Sequence, residues 1–283
     1  MRVFILILFM ILAVQAKPIF SNNKQADSGI YINSLKDLVI ATQKTRGLTN
    51  SYLSGNLIAL MLVQEAKDDM RMAISTMESL ELSSDPIVSK RASELSGRLM
   101  ELNRKGLKLK PEVAFKRYTE EIEQILLFAQ TVSKRSSEHM SPFANETSVM
   151  MMEQMLPLSE YVGQLRGMGS GIAAKGKVSK EQRDDLEAVI VQVVKFNEYF
   201  QKSIKNSIKQ GKNYYPQDIE AKAAKIDTSI KEYISFVKRE FYKETIAVNP
   251  DNYFASGTQI ITQIISLYDE ANRAVLKDSK GWL

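Results

Sequence analysis

The chain has 283 residues, 44% of them apolar and 25% charged, with no Cys and a single His, His139. That size suits one large globular domain or two small ones. The absence of Cys excludes thiolate nucleophiles, disulfides and Cys-ligated zinc or iron–sulfur centres. A Ser-His-Asp site would need His139 itself, and Glu-x-x-His ligation of a di-iron centre fails because Ser136 stands where the Glu is required.

The N-terminus reads as an export signal. Arg2 precedes an unbroken apolar stretch, Val3 to Val14, and Val14-Gln15-Ala16 fits the small-x-Ala cleavage rule. Residues 1–16 are therefore expected to be a signal peptide cut near Ala16, its apolar part shorter than the ~20 residues of a spanning helix. Export of a Cys-free protein points to a periplasm, with no membrane insertion after cleavage. Residues 17–33 read as a polar leader.

From residue 34 onward the apolar residues recur at three/four spacing, as in Phe115, Tyr118, Ile122, Ile125, Ala129 and Val132. This period predicts amphipathic helices, and no stretch alternates as a strand would. The expected fold is all-α, with eight helices near 34–54, 56–82, 85–103, 111–138, 144–176, 180–210, 216–246 and 250–279. Pro86, Pro111 and Pro250 stand at helix starts, Gly106, Gly176 and Gly211 at helix ends, and Ser179 with Gln182 forms a capping box. The basic cluster Arg104, Lys105, Lys108 and Lys110 falls in such a connection without aromatics, a solvated turn and not a nucleic-acid surface.

The eight divide into two sets of four. Phe115-x3-Thr119-x2-Ile122-x-Gln124-Ile125 in the fourth helix recurs as Phe254-x3-Thr258-x2-Ile261-x-Gln263-Ile264 in the eighth. Arg46-Gly47-Leu48 in the first corresponds to Arg166-Gly167-Met168 in the fifth. Two tandem antiparallel four-helix bundles, 34–140 and 141–283, related by an internal repeat, follow as the expected architecture.

Few motifs suggest chemistry. Gly171-x4-Gly176-Lys177 lacks the Ser or Thr of a phosphate loop, since Val178 follows, and no strand leads into it. Met150, Met151, Met152 and Met155 read as flexible core filler in preference to copper ligands. No cofactor or metal is expected. Arg46 and Arg166 stand out, the second in a segment with Gly163, Gly167, Gly169 and Gly171. Such glycines in a helix cost about 1 kcal/mol each relative to Ala and imply close approach of a backbone or ligand.

Around these arginines the sequence resembles a known family. Gln43-Lys44-Thr45-Arg46-Gly47-Leu48-Thr49-Asn50-Ser51-Tyr52-Leu53-Ser54-Gly55 is similar to the first-helix signature of the nitrate- and nitrite-sensing (NIT) domain family. Leu156-Pro157-Leu158 with Gly163 to Ser170 resembles its second signature, and Tyr253-Phe254-x3-Thr258 with Leu267-Tyr268-Asp269 its closing helix. The resemblance spans about Ser34 to Leu276. It implies two four-helix bundles and an anion bound by one Arg from each signature, Arg46 and Arg166. One departure is Thr45, where the family often has Glu.

The chemistry agrees, because nitrate is planar and guanidinium presents a planar donor fork. Thr49 and Ser170, three and four residues from their arginines, are expected to support the ion, and Gly163 and Gly167 to let the fifth helix close around it. Pro157 is expected to kink that helix and transmit occupancy. The expected protein is an exported, non-enzymatic nitrate or nitrite sensor reporting to a separate membrane receptor or histidine kinase. The alternative is a helical scaffold or adaptor with no small-molecule ligand.

Overall fold

The computed structural model describes residues 22–53, 57 and 59–280, and the expected signal peptide lies outside them. Among the described residues there are nine α-helices and no strand: α1 Asn22–Leu53, α2 Ala59–Ser79, α3 Pro86–Lys105, α4 Pro111–Ser136, α5 Pro142–Met150, α6 Leu156–Lys175, α7 Lys180–Gly211, α8 Ile219–Phe241 and α9 Pro250–Ser279. The all-α reading holds.

Local punctuation acts as expected. The Asp85 carboxylate accepts from the Ile87 and Val88 amides ahead of α3, and Asn249 accepts from Asp251 and Asn252 ahead of α9. Ser179 and Gln182 form both bonds of a capping box at α7. Gly176 ends α6 in the left-handed region, with φ 67°, where its amide reaches the Ile172 and Ala173 carbonyls. Arg104, Lys105, Lys108 and Lys110 are all exposed, as a solvated turn requires.

Three boundaries differ from expectation. The helix expected over 144–176 is interrupted by a π turn, Met151–Met155, immediately before α6. Pro157 has no N–H and its ring crowds the carbonyl four residues back, that of Glu153 inside this turn, so the wider winding accommodates the proline. Met150, Met151, Met152 and Met155 are fully buried and fill the core there. Helix α8 is shorter than 216–246, and beyond it Ile246 N–H donates to Gly176 O at 3.0 Å, tying that segment to the end of α6.

The third difference is the leader. From Asn22 onward it is the opening of α1, because its polar residues have partners across the molecule. Gln25 donates to Asp278 Oδ2 at 2.7 Å and to the Val275 carbonyl at 3.3 Å, and accepts from Ser141 N–H. Lys36 Nζ lies 2.7 Å from Asp269, and Tyr268 donates its phenol proton to Ile32 O at 2.9 Å. These bonds form a seam between α1 and α9.

Helices α1–α4 close a ring of neighbours, α1 on α2, α2 on α3, α3 on α4 and α4 on α1, and α6–α9 close another. Helix α1 also packs on α6 and α9, and the buried apolar residues of both sets form one continuous cluster. Each fully buried Leu, Ile or Phe of that cluster contributes roughly 1.5–3 kcal/mol relative to exposure. The junction of α1, α6 and α9 is where both arginines lie.

Candidate anion site

Arg46 projects from α1 into the interior, only 2% exposed. Its Nη1 donates to Thr119 Oγ1 at 2.9 Å and to Glu160 Oε1 at 2.5 Å, and its Nη2 donates to Glu160 Oε2 at 3.2 Å. The guanidinium carbon sits 4.8 Å from the centroid of the Phe115 ring, a cation–π arrangement. Glu160 of α6 is 1% exposed and also accepts from Gln43 Nε2 and Gln164 Nε2, each at 2.8 Å. Each carboxylate oxygen therefore accepts two hydrogen bonds. A dry charge pair survives only with such saturation, because desolvating both ions costs several kcal/mol apiece.

Arg166 of α6 has the same neighbours by type and lacks the carboxylate. Its Nη1 donates to Thr258 Oγ1 at 2.8 Å, and its guanidinium carbon lies 4.3 Å from the centroid of Phe254. No described carboxylate is within ion-pair distance of it. Among the described residues its Nε is buried without a partner, and so is Ser170 Oγ one turn along the same face of α6. Burial, with the field of Arg46, pushes the Arg166 guanidinium down from its ordinary range, partly offset by Glu160 and the phenols of Tyr233 and Tyr253. The side chain borders a groove of about 930 Å³ whose wall includes Ile40, Gln43, Gly47, Phe254 and Thr258.

The two arginines thus come within each other's electrostatic reach from helices far apart in sequence. The supporting residues fare unequally. Ser170 is beside Arg166 and unpartnered, whereas Thr49 is fully buried facing the phenol of Tyr118 on α4. A Cβ on Gly167 would lie 3.3 Å from the Phe115 ring, and one on Gly163 would lie 3.5 Å from Arg46 Nη2. The α6 glycines therefore make room for side chains of α1, α4 and, at Gly169, Tyr253 of α9. Thr45 is back-bonded to Ala41 O at 2.8 Å, and the acid beside Arg46 comes instead from α6, as Glu160.

Glu160 and Gly257 are absent from the expected set. A Cβ on Gly257 would stand 2.9 Å from Arg166 Cβ and Cγ, so this glycine lets the Arg166 stem lie against α9. Nothing in the sequence singled out Glu160, because its partners Gln43 and Arg46 stand on a distant helix. The Phe115–Thr119 and Phe254–Thr258 pairs were visible as a repeat, and the structure gives the repeat a purpose: each pair receives one arginine.

Arg166 is thus a cation held by an aromatic face and a hydroxyl at the edge of an open groove, an arrangement chemically suited to an anion. Residues 37–276 match the family described as nitrate and nitrite sensing, and the chain belongs to that family. In fold it is similar to the structure of the NasR transcription antiterminator, with a TM-score of 0.69 and 16% identity over 93% of this chain and 71% of that one. No curated protein matches the chain.

Proposed function

We propose that the protein is an exported, non-enzymatic sensory protein that binds nitrate or nitrite on Arg166, with Arg46 close behind it, and reports occupancy to a separate signalling partner. The observation that carries this reading is Arg166 itself: a half-buried cation with no described carboxylate and with its Nε unpartnered, beside the unpartnered Ser170 hydroxyl. Leaving such donors unpaired costs about 1–3 kcal/mol each, more for a charged group, and a small planar oxyanion meeting the Arg166 guanidinium from the groove it lines offsets the cost of its uncompensated charge. Thr258 and the Phe254 face hold the guanidinium in place for that contact. Export rests on the N-terminal apolar stretch, and no described helix is long and apolar enough to cross a membrane.

A partner-docking role without a ligand is the second reading, favoured by Leu57 and Met61, which are 76% and 82% exposed. Thermal unfolding with an anion panel separates the two. At 100 times its dissociation constant a ligand adds about 2.7 kcal/mol of stability, so nitrate or nitrite raises the melting temperature several degrees above a chloride control at equal ionic strength. Equal melting in all three salts rejects the sensor reading and leaves the docking one.

A further inference from the structure

The Arg46 fork already grips a planar two-oxygen anion, and that anion belongs to the protein. Resting on the sensor reading above, we propose that Glu160 is the resident anion of this fork, holding the charge that the two arginines offer to one unit and so making the site selective for a monovalent anion. Two guanidinium groups carry two positive charges and Glu160 carries one negative charge, leaving a net +1 buried between α1, α6 and α9. A monovalent anion closes that balance. A dianion overshoots it and brings a larger desolvation cost of its own.

The geometry shows Glu160 built in rather than passing through. Both its oxygens are saturated by Arg46, Gln43 and Gln164, and Arg46 is held from the other side by Thr119 and the Phe115 face. Arg166 feels both members of the pair, being disfavoured by Arg46 and favoured by Glu160. The other groups facing Glu160 are Glu123 of α4, whose carboxyl is raised by burial and then by Glu160 and Glu120, and Tyr161 beside it on α6. Glu123 is only partly desolvated and its residue surface is largely open to water, so solvent screens it and the buried balance is set by Glu160. An incoming oxyanion seats on Arg166 and engages Arg46 only in competition with the carboxylate.

Titration calorimetry on the full chain, with nitrate and sulfate as probes, tests this in wild type, Glu160→Gln and Glu160→Asp, with circular dichroism to establish folding. The glutamine variant is expected to bind nitrate at least tenfold tighter and to acquire sulfate binding that the wild type lacks. The aspartate variant keeps the charge with a shorter reach, so nitrate tightens severalfold and sulfate stays excluded. If Glu160→Gln does not fold, unchanged nitrate affinity in Glu160→Asp overturns the proposal. Wild-type nitrate binding that neither variant alters, with no gain of sulfate, overturns the role of Glu160 and leaves the sensor reading standing. Sulfate binding gained by Glu160→Gln from a wild type that takes no anion supports this role and rejects only the sensor reading. No anion binding by any of the three, all folded, overturns both.

Discussion

In the first set of helices Arg46 of α1 rests on Phe115 and Thr119 of α4; in the second, Arg166 of α6 rests on Phe254 and Thr258 of α9. The step of 120 residues from Arg46 to Arg166 also relates Ile40 to Glu160, Gln43 to Gly163 and Gly47 to Gly167. Arg46 takes its carboxylate from position 160 of the other set. The corresponding position beside Arg166 is Ile40, which lines the groove and has no charge to offer. Gly167 is covered by Phe115, whereas nothing among the described residues lies within 4 Å of a Cβ on Gly47. One arrangement of arginine, ring and hydroxyl is thus used twice: paired with an internal acid in the first set of helices and without a described carboxylate in the second. On the function proposed above, that difference makes Arg46 the structural cation and Arg166 the binding one.

If so, the two arginines respond oppositely to removal. Arg46→Ala strands a buried, fourfold hydrogen-bonded carboxylate, and breaking such a pair from one side costs about 3–5 kcal/mol. Arg166→Ala removes an uncompensated cation, and its unfolding free energy in chloride is expected to stay within about 1 kcal/mol of wild type, since an unpaired buried charge is a cost and not a support. Urea unfolding of both variants measures this directly. Equal losses would erase the distinction between the halves.

The next largest effect comes from giving the second half what the first one has. Ile40→Glu places a carboxylate on the groove wall near Arg166. Nitrate affinity is then expected to fall at least 100-fold, about 2.7 kcal/mol, while the protein stays folded because Ile40 is only half-buried. Calorimetry with nitrate reads the result, and an unchanged titration would remove this groove from the site.

How far the sequence carried this picture depended on the range of the interaction. Helix starts at Pro86 and Pro250 and the left-handed end at Gly176 are decided within four or five residues, and each is where punctuation placed it. The paired arginines and the Phe–Thr repeat were visible because both copies stand in one chain. Glu160 was not, since its partner lies 114 residues away and an acid on a helix face looks solvated until its neighbours are known. Gln25 misled for the same reason: polarity signalled a leader, but its partners on α9 made it part of a buried seam. The π turn followed from a proline that was noticed, through a winding that apolar spacing does not encode.

The smallest effect discriminates most finely, because it changes the same atom in each half. Thr119 and Thr258 accept from their arginines at 2.9 and 2.8 Å, and each donates its own proton to the carbonyl four residues back. Valine keeps the shape and removes the acceptor. In the first half Glu160 still holds Arg46 at two points, so Thr119→Val costs one hydrogen bond, about 0.5–1.5 kcal/mol of stability, and leaves nitrate affinity unchanged. In the second half Thr258 supplies the hydrogen bond that the structure shows for Arg166, and Phe254 is 42% exposed and too weak a restraint alone. Thr258→Val therefore frees the guanidinium to turn along the groove. Nitrate affinity is expected to fall severalfold with little change in urea midpoint, the reverse of the Thr119 pattern. Matching behaviour of the two valine variants in both assays would mean that Glu160 does not divide the halves as argued.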